Sequence, residues 1–340
     1  MSQVLTDISE IDTSGEPVLE VSVVVPVYRG AATLPDLMSA MDELSDPRTT
    51  PDGRRFRVCE TILVWDHGPD ESDTVIAELA DKYAWIRPVW LSRNFGQHPA
   101  TVAGMASSRG DWVVTMDEDG QHDPRDIGLL LDVAMRDRAS LVYASPTNKP
   151  PHSRLRNVAS ALTKGVVLRA LSGRTAVPFH SFRLISGEHA RAVAAYCGPG
   201  VYLDVALGWV ISDVSACPIR MHDEGRASTS YNPRRLASHF WRLVVSSGNR
   251  PLRLVSAIGV VTSALGLLYA LVLVVRRLAG LTVVDGWTSA IVVTLIIGGM
   301  ILLSLGVIAE YLGMAANMSM GKPLYVTTSA PRQVTSRERR

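Results

Sequence analysis

Apolar, β-branched runs alternate with helix-spaced segments along the first 150 residues. Val21–Val27 (VSVVVPV) is almost continuously apolar, the pattern of a strand buried on both faces. Ala31–Leu44 then carries apolar residues at helical spacing. Thr61–Trp65 reads as a strand, Ser72–Tyr83 as a helix and Ile86–Leu91 as a strand. A helix over Gln97–Ser108, a strand over Trp112–Met116, a helix from about Pro124 and a strand over Leu141–Ala144 continue the alternation. This order predicts an α/β fold, a doubly wound, mostly parallel sheet with helices on both faces. Ligands of such sheets bind beyond the carboxyl ends of the strands. Three loops stand there: Tyr28–Ala31, Asp66–Asp70 and Asp117–Asp123.

The pattern changes near the C-terminus. Leu254–Val275 and Thr288–Ala309 are each 22 residues long without a charge. As helices each would measure about 33 Å, enough to cross a hydrocarbon layer of about 30 Å. Small residues (Gly259, Ser263, Gly266; Gly298, Gly299, Ser304) recur in both, as expected where membrane helices pack closely. Two spans put both chain ends on one side. Arg234, Arg235, Arg242, Arg250 and Arg253 before them, and Lys322, Arg332, Arg337, Arg339 and Arg340 after them, assign that side to the cytoplasm, outnumbering Arg276 and Arg277 in the outer loop. Trp287 and Tyr311 lie where interfacial aromatics are expected. The N-terminus lacks a basic region followed by an apolar core, so no cleaved signal is expected.

Charge is divided along the chain. Residues 1–148 hold 12 Lys/Arg and 25 Asp/Glu, whereas residues 149–253 hold 15 and 5, within a net charge of +1. An acidic front and a basic middle call for different partners, and the adjoining apolar spans favour an anionic membrane surface over nucleic acid for the basic part. Ser153–Leu171 and Pro233–Ser246 mix basic and apolar residues at helical spacing. They read as helices lying on the bilayer, or as amphipathic helices facing a core. The three cysteines are widely spaced and suit a reducing compartment. The resulting layout is a disordered segment 1–20, a cytoplasmic catalytic domain 21–232 with an interface helix at 153–171, and a juxtamembrane amphipathic helix within 233–253. Two spans within 254–309 and a cytoplasmic tail 310–340 complete it.

The third loop, Asp117-Glu118-Asp119-Gly120-Gln121-His122-Asp123, is the most informative. Carboxylates at i and i+2 can address one hard divalent cation, Mg²⁺ or Mn²⁺, with substrate phosphates supplying further oxygens. Asp66 ends the second long strand in a matching position. Its carboxylate suits hydrogen bonds from a base or ribose, or equally a turn or helix cap. No phosphate loop, GxGxxG, HExxH or GxSxG occurs.

Several segments together resemble glycosyltransferase family 2, in particular the membrane-bound polyprenyl-phosphate glycosyltransferases such as dolichyl-phosphate mannose synthases and bactoprenol glucosyltransferases. They are VSVVVPVY (Val21–Tyr28), ILVWDHGPDES (Ile62–Ser72), LSRNFGQHPATVAG (Leu91–Gly104), GDWVVTMDEDGQHDP (Gly110–Pro124), SFRLIS (Ser181–Ser186) and RASTSY (Arg226–Tyr231). PLR (Pro251–Arg253), EYLG (Glu310–Gly313) and KPLY (Lys322–Tyr325) follow in the family's order. The resemblance implies a GT-A nucleotide-binding domain and an inverting transfer of a sugar from a nucleotide-sugar to a polyprenyl phosphate. Pro26, Tyr28 and Asp66 would bind the nucleotide. Asp117 and Asp119 would hold ribose and a diphosphate-bound metal, with Gln121 joining the metal shell. Arg183 and Arg226 would lie near the phosphates, and Asp204 would take a catalytic part. A UDP-sugar is the favoured donor, with GDP-mannose open; a homo-oligomer built through the spans is also open. The chain departs from the family at Arg29-Gly30, where Asn-Glu is usual, at Asp66-His67-Gly68-Pro69, where Asp-Asp-Gly-Ser is usual, and at His180-Ser181. A processive polysaccharide synthase is the rival enzyme reading, but no Arg-Trp pair of its QxxRW motif occurs. A membrane-anchored nucleotide-binding module without catalysis is the rival outside enzymes.

Overall fold

A computed structural model describes residues 18–148, 179–222 and 287–331, with scattered positions between 259 and 279. The chain divides into two compact units. The first comprises Met1–Lys164, Thr175–Tyr231 and Pro323–Arg340; the second comprises Gly165–Arg174 and Asn232–Lys322.

The first unit is a three-layer α/β domain on a nine-stranded sheet. In chain order its strands are β1 (Leu19–Val27), β2 (Arg48–Thr49), β3 (Arg55–Trp65), β4 (Ile86–Leu91), β5 (Trp112–Thr115), β6 (Leu141–Pro146), β7 (Arg183–Ser186), β8 (Val214–Ile219) and β9 (Thr327–Thr328). Its helices are α1 (Leu34–Ser45), α2 (Ser72–Lys82), α3 (Gln97–Ser107), α4 (Ile127–Asp137), α5 (Gly187–Tyr196) and α6 (Leu203–Val210). The order across the sheet is β8-β6-β7-β5-β1-β3-β4-β9, with β2 paired to β3.

The apolar runs form central strands because both faces are covered. Val23, Val25 and Val27 of β1 enter one core with Leu63 and Trp65 of β3, while Val24, Ile62 and Val64 enter the other. Alternate residues of a strand point to opposite faces, so each long strand feeds two cores. The first core is closed by α1, whose Leu34, Leu37, Met38, Met41 and Leu44 follow helical spacing, together with residues of α2 and α4. The second takes residues of α3, α5 and α6.

The five predicted strands and four predicted helices are all present within a few residues. The expectation of a mostly parallel sheet needs correction. β5-β1-β3-β4 is a parallel block, but β7 lies antiparallel between β5 and β6, and β9 antiparallel beside β4, so the sheet is mixed. β7 is only four residues long, and its insertion is a choice of partner that periodicity does not encode. The expected disordered segment lies outside the described residues for 1–17, while Leu19 and Glu20 open β1. The segments 153–171 and 233–253 also lie outside the described residues.

In the second unit an apolar helix spans Trp287–Ser319, and its Ile296–Ser319 stretch is long and apolar enough to cross a membrane, with a mean hydropathy of 1.9. Ile296, Ile301, Leu302, Leu305 and Leu312 are exposed on it, as suits lipid contact. It outruns the expected span 288–309 by ten residues. The earlier expected span, 254–275, is described only at scattered helical positions from Gly259 onward. After the helix the chain rejoins the first unit at β9, within the segment 310–340 that was expected to be a cytoplasmic tail.

Gly104 sets how closely α3 lies on the sheet. A Cβ there would stand 2.3 Å from Val24 Cγ1 and 3.0 Å from Val64 Cγ2, both rigid β-branched groups. Gly104→Ala is therefore expected to cost about 1–3 kcal/mol by overpacking. Thermal unfolding of the detergent-purified protein checks this; an unchanged midpoint would contradict the packing.

Candidate functional site

The parallel block brings the ends of β1, β3, β4 and β5 side by side, so the loops after them share one edge. Backbone amides there are gathered by carboxylates. Glu118, the middle residue of the acidic loop, accepts from the amides of Tyr28 and Arg29, both at 2.9 Å. Gly30 follows within reach: a Cβ on it would stand 2.8 Å from Glu118 Oε2. The Gly30 amide donates to Ser72 Oγ at 2.9 Å, and that hydroxyl donates to Asp70 at 2.6 Å. Gly68 packs against the same turn, where a Cβ would lie 1.8 Å from the Tyr28 carbonyl oxygen, so no larger residue fits without backbone movement. Neighbouring His67 holds a left-handed φ of 53° with its ring 4.5 Å from that of Trp65. Gly30 and Gly68 both lie in segments that depart from the resembled family, and each has a local steric reason.

Asp66, which the resemblance assigns to the nucleobase, has a buried side chain, 3% exposed, whose oxygens accept from the amides of Phe95 at 2.7 Å and Gly96 at 2.8 Å. Burial pushes its carboxyl up, while these two bonds pull it back. It fixes the Leu91–Gly96 loop and so the start of α3.

Asp117 lies at the centre. One oxygen accepts from Gln97 Nε2 at 2.6 Å and the other from Ser181 Oγ at 2.5 Å. Asp119 accepts from the Gln121 amide at 3.1 Å, the geometry of an Asx turn. The Gln121 carbonyl accepts from the His222 amide at 2.9 Å, tying the loop to the segment after β8. Beneath it His122 is 3% exposed and stacks on Phe182. Burial lowers its pKa to about 4 against the opposing pull of Asp119, so the ring is neutral. Its Nδ1 accepts from the Asp117 amide, and among the described residues its Nε2 has no hydrogen-bond partner.

The antiparallel β7 brings a fifth segment to this edge by its amino end. Thr115 of β5 pairs with Arg183, and Thr115 Oγ1 donates to the Ser181 carbonyl at 2.6 Å. Arg183 is 3% exposed; its Nε donates to Thr115 Oγ1 at 3.0 Å and its Nη1 to Asp204. Tyr143 donates to the same Asp204 oxygen at 2.8 Å. Burial pushes the Asp204 carboxyl up and the Arg183 guanidinium opposes it. Thr115, Ser181, Arg183 and Asp204, with Pro26, Gln97, His98, Asp117, His180 and Tyr202, line a cavity of about 100 Å³. A larger, open hollow of about 500 Å³ lies at the opposite, amino end of the strands and holds none of the acidic loop.

The structure thus brings together Pro26, Asp117, Arg183 and Asp204 around one cavity, with Asp119 and Gln121 on the adjoining loop. It places Tyr28, 41% exposed, next to Glu118. Arg226 lies outside the described residues. Among the described residues no group of three or more His, Cys, Asp or Glu side chains gathers to hold a metal. The acidic loop offers a cation at most the Asp117 and Asp119 carboxylates with the Gln121 amide oxygen, a hard-oxygen set that leaves positions for substrate oxygens. Sequence reasoning missed Glu118, Gln97, Ser181 and Tyr143. The first three lie inside motifs that the sequence did display, but no spacing rule says which carboxylate of an acidic run turns inward.

The sequence pattern of Glycosyl transferase family 2 matches residues 22–190. The undecaprenyl-phosphate 4-deoxy-4-formamido-L-arabinose transferase of Pseudomonas aeruginosa is 30% identical over 306 residues, 87% of this chain and 86% of the relative. An uncharacterized glycosyltransferase of Bacillus subtilis, YkcC, is 25% identical over 312 residues, 91% of this chain and 93% of the relative. The crystal structure of mannosyl-3-phosphoglycerate synthase from Rubrobacter xylanophilus overlaps 68% of this chain and 74% of its own, with 15% identity and a TM-score of 0.46. With the strand–loop edge, the acidic loop and a relative matched along most of both chains, the chain belongs to glycosyltransferase family 2.

Proposed function

We propose that this chain transfers a sugar from a nucleotide-sugar to the phosphate of a polyprenyl-phosphate lipid at the cytoplasmic face of a membrane, inverting the anomeric centre. The carrying observation is the reach of the match to the undecaprenyl-phosphate transferases. It covers 87% of this chain, so it extends well past residues 22–190 into the apolar C-terminal part. A UDP-sugar is the favoured donor.

The membrane topology has a physical support in the sheet. β4 precedes the apolar segments and β9 follows them, yet the two strands are paired. A chain that leaves this sheet, enters a bilayer and returns to the same sheet crosses an even number of times. That supports two spans with the catalytic sheet and the C-terminal segment on one side.

In this reading a deprotonated oxygen of the lipid phosphate attacks the anomeric carbon. The bond from that carbon to the diphosphate oxygen breaks, its electron pair leaves with the nucleoside diphosphate, and the new bond forms on the opposite face. The phosphate is already an anion near neutral pH, so no strong base is required. Asp119 and Gln121, with Asp117, would hold a Mg²⁺ or Mn²⁺ ion. When bound, the ion supplies charge neutralisation for the leaving diphosphate. Asp66 and Glu118 hold the two loops that flank the donor. Arg183, paired to Asp204 and bonded to Thr115, shapes the cavity wall and orients Ser181. Arg226 is kept as a phosphate-binding residue on the family resemblance alone.

Full-length protein in detergent, given a polyprenyl phosphate, Mg²⁺ or Mn²⁺ and a panel of UDP- and GDP-sugars, is expected to yield lipid-phosphate-sugar by mass spectrometry from one donor. Product from a GDP-sugar alone would move the donor assignment to GDP-mannose. Nucleotide binding with no glycolipid from any donor would favour the non-catalytic module. Asp119→Ala should lower turnover by about a thousandfold or more, the scale of losing a main transition-state electrostatic contact, with the thermal midpoint almost unchanged. Retained turnover would remove Asp119 from the chemistry.

A further inference from the structure

The segment after the apolar helix is built into the edge that carries the site. Thr327 and Thr328 pair antiparallel with Leu91 and Trp90, and the Ser92 amide donates to the Val326 carbonyl at 2.9 Å. Leu324 and Tyr325 pack against the second core, beside which Phe95 and Phe179 also lie, and which contains Leu91 and Ala100. β9 therefore covers what would otherwise be the open edge of β4, where the strand runs out into Ser92–Gly96.

That loop is the one whose Phe95 and Gly96 amides are held by Asp66. It delivers Gln97, whose side chain donates to Asp117. A continuous line of contacts thus runs from Val326 and Thr327 through Leu91 and Ser92, then Phe95 and Gly96, to Gln97 and the acidic loop. Glycine at 96, with φ of 98° and no side chain to brace it, leaves the loop reliant on outside supports, among them Asp66, the second core under Phe95, and β9.

We propose that Leu324–Thr328 is a positioning element of the donor site: the strand that follows the membrane helix fixes the Leu91–Gly96 loop, and through it sets Gln97 against Asp117. The kinetic part of this assignment rests on the glycosyltransferase reading above; its structural part does not. None of these five residues touches substrate. They act through the loop.

Hydrogen exchange on the full-length protein in detergent separates the two parts. The Ser92–Val326 bond marks that pair as hydrogen-bonded, so by antiparallel alternation Trp90–Thr328 is the next such pair. Thr328→Pro removes its donor, and Tyr325→Ala removes ring packing. Each is expected to raise exchange about tenfold in peptides covering 92–97, the scale of one net hydrogen bond, with a smaller rise at 117–122. Peptides covering β1 should be unchanged. In the transferase assay both variants should raise KM for the nucleotide-sugar about tenfold with less than a threefold fall in kcat, and Tyr325→Phe should restore both readouts. These factors are set by the loss of about one hydrogen bond's worth of ordering. Unchanged exchange at 92–97 overturns the proposal, as does a uniform rise that includes β1, which would mean a general loss of stability. The expected exchange pattern from a wild-type protein that makes no glycolipid would leave the structural link standing and overturn the reaction assignment instead.

Discussion

Carboxylates accepting main-chain amides hold the loop-bearing edge of this sheet in place. Glu118 binds the Tyr28 and Arg29 amides after β1, and Asp66 binds the Phe95 and Gly96 amides after β4. Loop amides at a sheet edge have no ladder partners, and leaving them unpaired where water is excluded costs about 1–3 kcal/mol each. A carboxylate with two oxygens satisfies a pair at once and through charge-assisted bonds. The cavity and the acidic loop inherit their geometry from these two clamps.

This divides the acidic residues of the front half by task. Asp66 and Glu118 face inward to the backbone. Asp117 is held between Gln97 and Ser181, ready to exchange side-chain donors for a ligand. Asp119 accepts the turn bond from the Gln121 amide and stays half-exposed. Buried Asp204 is matched by Arg183 and Tyr143, since an uncompensated charge there would be expensive. The surplus of negative charge in residues 1–148 is therefore partly architectural.

The mixed sheet has a similar logic. A parallel block places loop after loop at one edge, but it can bring only carboxyl ends there. The antiparallel β7 adds an amino end, carrying Ser181 and Arg183 to Asp117 and Thr115. β9 adds the stretch after the apolar helix to the far side of the block. Both strands are short and would not hold together alone; β7 is anchored by Leu184 and Ile185 in the two cores, and exposed β9 by its pairing with β4 next to Leu324 and Tyr325, which pack against the second core.

The sequence by itself determined the alternating elements, the acidic loop at a strand end and the apolar helix, because each is a local periodicity or a local cluster of charge. It also carried the family, through motifs read in order. What it left open was decided by contacts between distant residues. Nothing local distinguishes Glu118 from Asp117 or Asp119; the backbone of Tyr28 and Arg29, some 90 residues away in the chain, chooses it. Nothing local tells that Asp66 clamps the loop after β4; the Phe95 and Gly96 amides, some 30 residues away in the chain, decide it. The same holds for β7 and β9. A four-residue and a two-residue strand have too little pattern to announce themselves, and only the open edges of an assembled sheet give them a place.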